Sequence, residues 1–77
     1  MPPLKSDKLE GRYANYLRVG HNAFEFIFDF GQHYSESDEA KLSIRIVTSP
    51  FYARTFLETL TDSIAAYERT YGIIEKD

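Results

Sequence analysis

The 77-residue sequence predicts an α+β fold: a three-stranded antiparallel meander in the order 1-2-3, with one C-terminal helix packed on one face, βββα. Three observations predict it. Apolar and polar residues alternate from Arg12 to Val19, from Phe24 to Phe30 and again from Leu42 to Val47. Alternation stops at Thr48, Ser49 and Pro50, beyond which apolar residues recur every three or four positions. Period two lines up one face of a pleated strand, and a period near 3.6 lines up one stripe of a helix.

Residues 1–10 carry two prolines, several charges and few apolar groups, so they read as a flexible lead-in. Residues 11–74 form the single βββα domain, and 75–77 are a tail. In the first strand Tyr13, Asn15, Leu17 and Val19 share one side, and Arg12, Ala14, Tyr16 and Arg18 the other. Gly20, His21 and Asn22 follow, with residues that tolerate positive φ, and this predicts a hairpin turning at His21 and Asn22. The second strand sets Phe24, Phe26, Phe28 and Phe30 against Glu25, Ile27 and Asp29. On a helix those four rings would scatter around the cylinder. A polar connection from Gly31 leads to the third strand, where Leu42, Ile44 and Ile46 oppose Ser43, Arg45 and Val47.

Ser49 is a suitable helix cap and Pro50 a suitable first-turn residue, because the missing N–H is not needed there. Ala53, Phe56, Leu57, Leu60, Ile64, Tyr67 and Tyr71 then form one apolar stripe, which Gly72 ends. The first hairpin is expected to set Arg18 opposite Glu25, Tyr16 opposite Ile27 and Ala14 opposite Asp29. The second is expected to pair Asp29 with Arg45, Ile27 with Val47 and Phe28 with Ile46. Both registers gather the phenylalanines on one face with Leu17, Val19, Leu42, Ile44 and Ile46, where the helix stripe would cover them and close a core.

Composition limits the function. A domain this small buries only about 60% of its unfolded surface, so a second subunit is the natural support once disulfides and thiolate metal sites are excluded by the absence of cysteine. The same absence fits a reducing cytoplasm. A net charge of −3 argues against bulk electrostatic attachment to nucleic acid or membrane, and no apolar run reaches the roughly 20 residues of a membrane span. His21 and His33 stand in different loops with no zinc or calcium spacing around them, and no nucleophile motif is present. The reading is of a cytoplasmic protein that is not an enzyme and has no cofactor.

The face opposite the phenylalanines holds the candidate site. Tyr16, Ile27 and Val47 cross it as an apolar stripe, surrounded by Arg12, Arg18 and Arg45 and by Glu25 and Asp29. Such a mixture is typical of protein interfaces. It fits a homodimer formed by edge pairing or by stacking of these faces, or a protein partner. Tyr16 among three arginines also suits single-stranded nucleic acid, though the two acids on that face weigh against it. Asp29 and Arg45 are expected to form a cross-strand ion pair that fixes register. Asn15, a polar residue on the inward side of its strand, should find partners at the helix start or the second loop.

Several short motifs carry a family resemblance. Glu10-Gly11, Tyr13-Ala14-Asn15, Glu25-Phe26, Asp29-Phe30, Arg45, Ser49-Pro50, Tyr67-Glu68 and Gly72 occur in an order and spacing similar to that of the small prokaryotic proteins grouped as domain-of-unknown-function family 3467. The resemblance runs from Glu10 to Ile74. It implies no activity and assigns no catalytic residue.

Overall fold

The computed structural model describes residues 9–36 and 39–76; residues 1–8, most of the expected lead-in, and Asp77 of the tail lie outside them. The element order is β1 (Tyr16–His21), β2 (Phe26–His33), β3 (Ala40–Thr48) and α1 (Pro50–Tyr71). The strands form one antiparallel sheet in the order β1-β2-β3. The βββα architecture is therefore the one that the change of period at Ser49 predicts.

The second hairpin has the expected register, with Asp29 opposite Arg45, Ile27 opposite Val47 and Phe28 opposite Ile46. The first hairpin does not. Arg18 lies opposite Asp29 instead of Glu25, and Tyr16 opposite Gly31 instead of Ile27. Asn22 explains the difference. Its Oδ1 accepts hydrogen bonds from the N–H groups of Phe24 (2.8 Å) and Glu25 (3.0 Å), and its own N–H donates to the Glu25 carbonyl at 3.0 Å. The side chain thus closes a turn whose tip is Ala23 and Phe24, with no positive φ at either residue. Phe24 leaves the phenylalanine row and stands exposed at the tip. The register moves by an even number of residues, so both faces of β1 keep their assignment.

A bulge between Phe30 and Gly31 changes the phase of β3. Phe30 faces Ile44 but Gly31 faces Leu42, which leaves Ser43 as the extra residue. Leu42 consequently joins the row of Gly31 and Asp29 on the reverse face and is lost from the expected core. Gly31 is buried, and a Cβ there would collide with the Lys41 carbonyl oxygen and the Leu42 Cα. β2 also runs on through Gln32 and His33, residues expected in the connection.

The helix has the expected ends. Ser49 Oγ accepts from the Tyr52 N–H at 3.3 Å, and Pro50 opens the first turn. Gly72 takes φ 101°, a conformation that favours glycine, while its N–H donates to the Glu68 carbonyl at 3.0 Å. Arg69 lies in the last turn, where a cation complements the helix dipole.

The expected closed core is absent from the single chain. No apolar side chain is buried among the described residues, and Phe26, Phe28 and Phe30 are only half-buried. Helix and sheet meet where the Phe28 and Phe56 rings pack edge to face, centroids 5.3 Å apart. The accessible surface is 7504 Å², against about 4,800 Å² for a compact chain of this mass. The radius of gyration is 15.1 Å, against about 11.5 Å for a compact domain of this length. The helix does not lie down along the sheet: the grooves between them draw only on residues of α1 from Pro50 to Leu60, and the helix stripe itself stays exposed from Phe56 to Tyr71.

Candidate functional site: two faces of one sheet

The reverse face is organised by the registers of both hairpins. Because Arg18 and Arg45 each lie opposite Asp29, one row across all three strands reads Arg18, Asp29, Arg45. Arg45 Nε donates to Asp29 Oδ1 at 2.7 Å and its terminal nitrogen to Oδ2 at 2.9 Å, while Arg18 donates to Oδ2 at 3.0 Å. Asp29 is 3% exposed and is the one buried charged or polar side chain among the described residues. The two arginine side chains are 56% and 60% exposed. The carboxylate is thus shielded by guanidinium groups, whose outer edges remain in water.

The two-pronged hydrogen bond from Arg45 is the main reason that the Asp29 carboxyl titrates well below its ordinary value of 3.8, at about 2; loss of hydration opposes this, and the Arg18 hydrogen bond adds to it. Asp29 therefore stays ionised at neutral pH. It has no proton to donate there, and its lone pairs are committed to the arginines.

The adjacent rows are mostly apolar. Gly20, Ile27 and Val47 lie on one side of the ionic row, and Tyr16, Gly31 and Leu42 on the other. The structure therefore unites Arg18, Asp29 and Arg45 in one network, with Ile27, Val47 and Tyr16 beside it. It does not bring Arg12 or Glu25 into that network. Arg12 precedes β1, and Glu25 sits at the first turn, where its carboxylate accepts from the Asn22 side-chain amide at 3.1 Å.

Asn15 closes the far end of the first hairpin. Its side-chain amide donates to the His33 carbonyl (3.1 Å) and accepts from the His33 N–H (2.8 Å), and its backbone N–H donates to Gly31 O at 3.1 Å. It thus bonds the last residue of β2, at the start of the second loop, and serves the sheet rather than a ligand. His21 packs against Phe26, ring centroids 5.4 Å apart. Among the described residues, no three His, Cys, Asp or Glu side chains converge as metal ligands, and no helix is long and apolar enough to cross a membrane.

The phenylalanine face is the surface that sequence reasoning assigned to a closed core and the structure leaves open. A groove of about 460 Å³ lies between it and the helix, lined by Val19, Phe26 and Phe28 from the sheet and by Ala53, Leu57 and Leu60 from α1. Leu57 is 55% exposed and Leu60 43%. Periodicity carries no signal for this opening, because it gives the apolar stripe of α1 but not whether the helix lies down on the sheet.

No curated protein and no solved structure matches this chain. A family model does, over residues 2–76, and the chain belongs to that family, described as Protein of unknown function (DUF3467).

Proposed function

We propose that this chain is a non-enzymatic protein-interaction module of the cytoplasm that works as a homo-oligomer, with its phenylalanine face and helix as the self-association surface. The observation that carries this reading is that no apolar side chain is buried among the described residues. The accessible surface exceeds that of a compact chain by about 2,700 Å², so burial of only part of it in each of two copies would reach the scale of obligate dimer interfaces. Asp29, the best-shielded ionisable group, has the wrong protonation behaviour for general acid–base work near neutral pH. Covering the phenylalanine face would leave the Arg18–Asp29–Arg45 row outward, available to a protein partner. Light scattering at tens of micromolar tests the reading. A dimer or higher assembly supports it, and a monomer overturns it.

The exposed edges of Arg18 and Arg45 beside Tyr16 favour a second reading, single-stranded nucleic acid laid on the reverse face. Asp29 already neutralises one of the two arginines. Titration of a labelled oligonucleotide at two salt concentrations tests it: binding should weaken steeply with salt and by about 1–3 kcal/mol in Tyr16→Ala. Absence of binding at low salt excludes it.

A further inference from the structure

Within the self-association reading above, on which this inference rests, we propose that the occupant of the open groove is the α1 helix of a second copy, lying antiparallel to the first across a two-fold axis near residue 62. The helix carries the pattern such a pair requires. Ala53, Leu57, Leu60, Ile64, Tyr67 and Tyr71 are spaced alternately by four and three residues, which is the a/d seam of a heptad repeat sustained along all of α1. Its own sheet does not use the seam, since Leu57, Leu60, Ile64, Tyr67 and Tyr71 all remain exposed.

The direction of pairing follows from size and charge. Antiparallel alignment sets Leu60 opposite Ile64, Leu57 opposite Tyr67 and Ala53 opposite Tyr71. The smallest seam residue then meets one of the largest, and Ala53 is among the residues that line the groove. The same alignment sets Arg54 opposite Glu68 of the other copy, twice by symmetry. Arg54 has no hydrogen-bond or ion-pair partner among the described residues, and Glu68 accepts the Ile74 N–H through one carboxylate oxygen at 2.9 Å. A parallel pair would instead set Ala53 against Ala53 and Tyr71 against Tyr71, and would leave Arg54 and Glu68 at different levels of the seam without each other. The two-fold relation makes the contact isologous and closes the assembly at two chains.

Because the chain has no cysteine, single cysteines report the geometry without background. Thr61→Cys places a thiol beside its own copy near the axis, with helix axes about 8–10 Å apart, and a short bismaleimide should link it into covalent dimers. Arg54→Cys should not link to itself, because antiparallel pairing separates the two copies of that position by roughly 20 Å; a mixture of Arg54→Cys and Glu68→Cys chains should link. Arg54→Glu should weaken dimerisation about threefold to tenfold, and adding Glu68→Arg should restore it. A dimer in which Thr61→Cys fails to link, or Arg54→Cys links to itself, overturns the antiparallel helix pair and leaves self-association standing. A monomeric wild-type chain overturns both.

Discussion

The two faces of the sheet invert the usual arrangement. The polar face, Arg18, Asp29 and Arg45 in one row, is satisfied within a single chain and holds the one buried charged or polar side chain among the described residues. The apolar face, with Phe26, Phe28 and Phe30 only half-buried and the helix stripe exposed beside them, is unsatisfied. Polar groups close over short distances when register sets donor opposite acceptor, whereas apolar area closes only when enough of it is brought together. A 77-residue chain can achieve the first alone. The second calls for another surface.

Substitutions that act on one face and spare the other sharpen this contrast. The largest effect should come from the apolar face: Phe28→Ala removes the ring that packs on Phe56 and should cost about 3–5 kcal/mol in chemical denaturation of the assembled protein. An unchanged denaturation midpoint would show that this ring packs on nothing in solution. Next, Gly31→Ala should cost about 1–3 kcal/mol through collision of its Cβ with the Lys41 carbonyl. That strain lies within one chain, so the loss should appear in folding while the stoichiometry of the surviving dimer stays the same.

On the polar face the decisive variable is pH. The Asp29 carboxyl titrates at about 2 in the fold and near 3.8 when unfolded, so the unfolded chain takes up its proton first as pH falls. The stabilisation by this group is fully present above about pH 4 and is lost as pH falls towards 2. Asp29→Asn should remove that part of the acid dependence, leaving a flatter stability profile between pH 4 and 2. A wild-type acid limb retained in the variant would place the titrating group elsewhere. The smallest effect is expected for Asn15→Ala, about 1 kcal/mol, since its two bonds to His33 lie at an exposed strand end. Fraying there should show as faster amide exchange at His33.

Much of this was legible in the sequence. The strands and helix followed from period, Ser49, Pro50 and Gly72 marked the helix ends, and the Asp29–Arg45 pairing came from aligning β2 with β3. The register of the first hairpin did not. Asn22 was legible as a residue that tolerates positive φ, but it acts through its side-chain oxygen, and that choice set Arg18 against Asp29. The bulge at Gly31 was hidden because a single extra residue leaves the alternation of Ile44 and Ile46 intact while moving Leu42 to the other face. Exposure of the phenylalanine face was missed for a different reason: periodicity shows which side chains share a face but not whether the helix lies down along the sheet.

The central claim is that the apolar face is completed by a second chain, so that folding and association are coupled. Thermal unfolding followed by circular dichroism across a hundredfold range of protein concentration measures this directly. Coupled dimer unfolding should raise the midpoint by about 8 °C from the lowest concentration to the highest. A midpoint independent of concentration over that range, in a chain that elutes as a monomer, would contradict it.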